Sequence, residues 1–184
     1  MQPNEVLDFW FNQPPKNWFR KNPAFDAEIR ARFGATIDLA LGGGLRDWDA
    51  HGAPGILARI LVLDQFTRNA WRGTPASFAG DALALVDASG LVARGADRAL
   101  APQQRAFTYL PFEHAEDAAM QARAIDLFTA LAAHYPGFDD TLDYARRHGA
   151  VIARFGRFPH RNAILGRVST PQEIAFLAEP GSGF

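Results

Sequence analysis

The stretch Pro54-Gly55-Ile56-Leu57-Ala58-Arg59-Ile60-Leu61-Val62-Leu63-Asp64-Gln65-Phe66 decides the fold. Proline suits a first helical turn, and apolar residues then fill positions all round the predicted helix. A helix apolar on every side is a central, buried one. Leu57 and Leu61 precede Asp64 on one face, so the buried stripe runs into the polar run Asp64-Gln65-Phe66-Thr67-Arg68-Asn69 before Arg72-Gly73 closes the helix. Polar groups so placed need partners from other helices or from a ligand.

Helical punctuation continues outward in both directions. Toward the N-terminus, Asn22-Pro23 opens a helix with Phe25, Ile29, Phe33, Ile37 and Leu41 along one stripe, stopped by Gly42-Gly43-Gly44. Asn4 is a candidate cap for a short helix through Phe11, and residues 12–21 read as loop. Toward the C-terminus, Thr74-Pro75 starts a helix running to about Arg94. Pro102 to about Tyr109 and Glu113 to His134 follow, kinked or broken at Pro111; Asp139 or Asp140 then leads a helix to Phe155. Pro159 to Gly166 reads as a short helix, and Thr170-Pro171 caps the last one. No run reads as a strand. The expectation is a single all-α domain, residues 1–184, of eight to ten helices. Residues 53–166 would form stacked antiparallel helical hairpins, flanked by N-terminal helices (1–52) and a C-terminal helix and tail (167–184).

Composition narrows the function classes. The chain of 184 residues is 48% hydrophobic and 21% charged, which belongs to a folded domain with a sizeable core. A net charge of −1 gives no global attraction to nucleic acid or anionic membrane. The absence of cysteine excludes disulfides, thiolate metal sites and cysteine nucleophiles. No basic leader and no uninterrupted 18-residue apolar window occurs, so the expected setting is the cytoplasm, without a membrane span. Phosphate-cradling glycine loops, a serine elbow and a His-Glu-x-x-His zinc motif are all missing. Neither a metal nor a cofactor is expected.

Chemistry can sit in three places. Asp64, Arg68 and Arg72 step by four residues, with Gln65 beside Asn69; this is either an internal ion pair at a helix end or part of a site. Glu113-His114-Ala115-Glu116-Asp117 sets an imidazole among carboxylates, which makes His114 and Glu116 candidates for proton transfer. The nonapeptide Arg154-Phe155-Gly156-Arg157-Phe158-Pro159-His160-Arg161-Asn162 packs three guanidiniums and an imidazole where a helix must break. A new helix N-terminus at Pro159 beside Arg154, Arg157 and His160 would suit a phosphate or carboxylate. Against it stands an internal network in which Asp64, Glu113 and Glu116 supply the countercharge.

Those clusters, together with Val6-Leu7-Asp8-Phe9-Trp10-Phe11, Trp18-Phe19 and Leu165-Gly166-Arg167, resemble the bacterial domain-of-unknown-function 924 family along essentially the whole chain. Thr67 stands where that family often shows Pro, and Ala115 where Ser is common. The resemblance implies a tetratricopeptide-like right-handed α-solenoid and brings no established activity. It maps signature polar groups onto Asp64, Gln65, Arg68, Asn69, His114, Glu116, His148, Arg154, Arg157, His160, Arg161 and Asn162. The expected function is binding of a small phosphate- or carboxylate-bearing molecule, with His114, Glu116 or His160 moving protons and the other nine groups, His148 among them, holding the ligand. The competing expectation is a peptide- or protein-binding scaffold exposing Trp48, Trp71, Phe78 and Tyr109 in a groove. Nucleic acid is not an expected partner, and oligomeric state is not readable.

Overall fold

In the structure, a computed structural model describing residues 1–183, every regular element is helical. Phe184 and the side chain of Phe19, quoted above beside Trp18, lie outside the described residues. The chain divides into two compact units: Met1–Arg72 with Ala76–Pro111, and Gly73–Pro75 with the chain from Phe112 onward.

The first unit holds α1 (Pro3–Phe11), α2 (Lys16–Phe19) and α3 (Pro23–Leu41). Asn22 caps α3 as its position predicts, accepting the Phe25 N–H at 3.3 Å. The cap of α1 is Gln2 rather than Asn4, since Pro3 takes the first helical position. The central helix is not one α-helix. It runs as α4 (Gly52–Ile60), a π-helical stretch Leu61–Phe66, and α5 (Thr67–Ala70). In π geometry each N–H reaches back five residues rather than four, which loosens the carbonyl ladder. Side chains take up those carbonyls: Thr67 Oγ1 donates to Leu63 O at 2.7 Å, and Arg68 Nη1 to Asp64 O at 2.7 Å.

Gly80 presses on this stretch. A Cβ there would stand 2.1 Å from the Leu63 carbonyl oxygen, so only glycine lets α6 (Asp81–Ala93) begin so close. Gly80 also splits the helix expected over residues 74–94, leaving a short 3₁₀ turn at Pro75–Phe78. By composition alone Pro75–Ala93 could cross a bilayer, with a mean hydropathy of 1.3. As folded, α6 is about 20 Å long, short of the roughly 30 Å hydrocarbon thickness. It carries buried Asp87, clamped by Arg59 through Nε at 2.7 Å and Nη2 at 3.1 Å.

α7 (Pro102–His114) passes through Pro111 without a break. The chain instead leaves the helix after His114, because Asp117 caps α8 (Ala118–His134) by accepting the Met120 N–H at 2.9 Å. In the second unit α8 and α9 (Asp139–Phe155) pack side by side, and the short turn between them makes the pair antiparallel. The helix expected over residues 159–166 is a three-residue 3₁₀ turn, Pro159–Arg161, followed by further turns. Arg161 N and Asn162 N reach back three residues, to Phe158 O and Pro159 O, which sets the tighter geometry. α10 (Pro171–Leu177) is capped by Thr170 as the sequence suggests, and Glu173 completes a capping box with it.

Candidate functional site

In the first unit the Asp64 cluster is an ion-pair network. Gln65 Nε2 donates to Asp64 Oδ2, Arg68 Nη1 to Asp64 Oδ1 at 2.9 Å, and the Arg68 fork grips Asp81 at 2.8 and 2.9 Å. Burial would lower the Arg68 pKa, and the charges of Asp64 and Asp81 outweigh that, holding it above its ordinary value. Arg72 and Asn69 do not join this group. Both reach Asp26 on α3: Arg72 Nε at 2.7 Å, Nη2 at 2.9 Å, and Asn69 Nδ2 at 2.8 Å. Burial alone would raise the Asp26 carboxyl; the bonds from Arg72 and Asn69 win and keep it below its usual range. The four-residue spacing therefore serves two different acids.

The second unit gathers imidazoles. Buried Phe158 is the hub: His148 meets it edge-on at 5.4 Å between ring centroids, His160 lies 5.6 Å away, and the Arg161 guanidinium sits over its face at 4.6 Å. His114 stands 6.4 Å from His148, centroid to centroid. His148 and Arg161 are buried, whereas His114 and His160 are half-buried. His148 Nδ1 carries the hydrogen, because the Tyr144 carbonyl at 2.9 Å can only accept it. Glu113 Oε1 lies 3.2 Å from the same nitrogen. Burial pushes the His148 pKa down to about 3, and the electrostatic influence of His114, His160 and Arg161 works the same way. The Tyr144 carbonyl opposes this without reversing it. His148 is thus neutral throughout the physiological range.

The end of α7 is held by side chains of the same cluster. Gln121 Nε2 donates to Glu113 O at 2.6 Å and to Ala115 O at 2.7 Å, and Arg161 Nη2 donates to His114 O at 3.0 Å. Three successive carbonyls left open by the helix end are closed in this way.

The arginines of the nonapeptide do not converge as the sequence suggests. Arg157 is clamped by Glu173, with Nε to Oε1 at 2.7 Å and Nη2 to Oε2 at 2.8 Å. Those bonds, with the Thr170 N–H, hold the Glu173 carboxyl down to about 2. Arg154 is exposed and lies over Phe155 and Phe176. The anion-binding helix N-terminus expected at Pro159 is replaced by a short 3₁₀ turn, and the Phe158 N–H before it is taken by Glu116 Oε1 at 2.8 Å. Arg167 completes that cradle, with Nη1 to Glu116 Oε2 at 2.6 Å and Nη2 to Oε1 at 2.9 Å. Burial would raise the Glu116 pKa; the Arg167 and Phe158 bonds outweigh it and lower the value. Asn162 steadies the cradle by accepting from Arg167 Nε at 3.0 Å and donating to Ser169 Oγ at 3.0 Å. Among the described residues no three His, Asp or Glu side chains are grouped so as to hold a metal ion.

Sequence reasoning missed Glu173, Asp26, Asp81 and Gln121. Glu173 was readable only as half of a capping box, although it stands just past an acid-free, arginine-rich segment that needed a countercharge. Asp26 and Asp81 are first-turn acids and carry no signal of their own.

Fold and side-chain chemistry define an all-helical protein built around buried ion-pair networks and one histidine cluster. The chain belongs to the family described as bacterial protein of unknown function (DUF924), which it matches over residues 6–181. It is similar to a solved protein of unknown function from Agrobacterium tumefaciens, 42% identical over 96% of each chain with a TM-score of 0.87. A stretch of 63 residues is 38% identical to dual oxidase 2 of Rattus norvegicus, taking in 30% of this chain and 4% of that protein. So small a share carries no activity across.

Proposed function

We propose that the histidine cluster of the second unit binds a small anionic molecule, phosphate- or carboxylate-bearing, and that the half-buried His114 and His160 exchange protons with it. The observation that supports this reading is the gathering of His148, His160 and the Arg161 guanidinium round the Phe158 ring, with His114 beside His148. Imidazoles are the side chains whose charge changes near neutral pH, and a guanidinium suits planar anions. His148, kept neutral by burial, adds polarity to the site without adding charge. Glu116, Arg154 and Arg157 have no part in it: Glu116 is held by Arg167 and the Phe158 N–H, Arg157 by Glu173, and Arg154 is exposed. A cytoplasmic setting belongs to the same proposal.

The peptide-scaffold reading, including the solenoid groove it needs, is less well supported. Two of the rings it requires at the surface, Trp48 and Tyr109, are 2% and 0% exposed.

A thermal-shift series with inorganic phosphate, pyrophosphate and succinate tests the proposal on the wild type, Arg161→Met and His160→Gln. At about a hundredfold excess over Kd a bound anion adds about 2.7 kcal/mol of stability. The expected result is stabilisation by one of these anions that Arg161→Met abolishes and His160→Gln weakens. An equal shift in all three proteins, or none in the wild type, overturns the reading.

A further inference from the structure

Gln121 was not singled out by the sequence, and it is one of two almost fully enclosed side-chain amides among the described residues of the second unit, the other being Asn162. Gln121 is 2% exposed, and both hydrogens of Nε2 are committed to carbonyls, those of Glu113 and Ala115. Carbonyl partners fix the orientation of the amide, because Oε1 could not take the place of Nε2 there. Oε1 then faces away from the α7 end and is buried with no hydrogen-bond partner among the described residues. On the facing helix α9 it approaches Gly149, where a Cβ would stand 4.0 Å from it.

A buried acceptor left open costs about 1–3 kcal/mol, while an apolar side chain of similar bulk would instead leave the Glu113 and Ala115 carbonyls without this donor. What the amide alone can do is grip the peptide groups on either side of His114. Arg161 holds the His114 carbonyl between them.

We propose that Gln121 is a positioning residue of the histidine cluster, fixing the backbone at the end of α7 and thereby the place of the His114 imidazole beside His148. The inference rests on the anion-site reading only for the purpose of that placement; the placement itself is tested without any ligand. A pH titration followed by NMR at each imidazole Cε1–H compares the wild type with Gln121→Met, which keeps length and bulk but has no donor. The expected result is a His114 midpoint moved by about half a unit or more, as small changes of surroundings do to histidine. The exposed His134 serves as the unmoved internal reference. In the wild type the two Gln121 side-chain N–H signals should be separate and slow to exchange with solvent.

A variant that loses thermal stability while His114 titrates as before overturns the proposal, because packing would then explain the residue. Fast exchange of the wild-type Gln121 amide overturns it as well, and that measurement decides alone if Gln121→Met does not fold. Phosphate plays no part in either readout. Failure of anion binding therefore leaves this result standing, and failure here leaves the binding experiment to be judged by its own outcome.

Discussion

The two units use arginine in different company. In the first, guanidiniums are closed by aspartates: Arg59 by Asp87 and Asp49, Arg68 by Asp64 and Asp81, Arg72 by Asp26. Such pairs satisfy guanidinium and carboxylate within the protein. In the second unit the rim repeats the pattern, with Arg157 on Glu173 and Arg167 on Glu116. The centre does not. There His148 and His160 pack on the Phe158 ring and His114 stands beside His148, and imidazole is the side chain whose charge changes nearest neutral pH. Density of buried charge therefore does not by itself mark a site in this molecule.

The contrast can be broken most forcefully in the first unit. Asp87→Leu leaves Arg59 buried without its main carboxylate, and urea denaturation should show a loss of about 3–5 kcal/mol. Adding Arg59→Met should restore most of it, since a matched apolar pair replaces a matched ionic one. A single variant with near wild-type stability would mean that the pair is not the closed structural unit described.

Next in size is an acid effect confined to the second unit. Below pH 6.5 an unfolded histidine takes up a proton, whereas folded His148, with a pKa of about 3, does not. The unfolded state gains, so stability falls as pH drops from 6.5 and stops falling on this account near 3. The loss is at most about 1.4 kcal/mol per pH unit, and Glu113, facing the same nitrogen, diminishes it. Urea denaturation between pH 6.5 and 5, above the range of the paired carboxylates, should show a steeper loss in the wild type than in His148→Gln. Parallel slopes would remove the distinction between the units.

A smaller effect is expected at α10. Glu173→Gln cuts the grip of Arg157, and hydrogen exchange over residues 171–177 should quicken while the denaturation midpoint of the whole protein hardly moves. The depressed carboxyl contributes above its ordinary pKa and is lost as pH falls toward 2, so acidified wild type should come to resemble the variant. Smallest of all, Arg154→Ala removes an exposed contact with Phe155 and Phe176, worth about 0.5–1 kcal/mol, and should leave anion binding unchanged.

The helical class and the buried central helix were legible because every turn of that helix repeats the same signal, down to Leu57, Leu61 and Phe66 with no exposed surface. The caps at Asn22 and Thr170 were legible because capping chemistry is local. The π-stretch was not, since Asp64 and Arg68 pair at a four-residue spacing whether or not one turn is wider. Nor was the assignment of acids to arginines. Arg72 pairs across 46 positions with Asp26, and Arg167 across 51 with Glu116, distances at which composition gives no choice among carboxylates. His148 and Arg161 could be read as part of a polar motif, but their gathering round Phe158 required the turn after Gly156 to be a 3₁₀ one.

The widened turn at Leu61–Phe66 has a consequence for how this helix tolerates changes of length. Removing one residue from an ordinary α-helix swings everything beyond it by about a hundred degrees, which turns a buried side outward. Where the coil is already one position overwide, a deletion can be absorbed by narrowing it. Shortening the chain within this stretch should therefore do less harm than shortening it a turn earlier, and the gene can drift in length there without losing the helix's inner side.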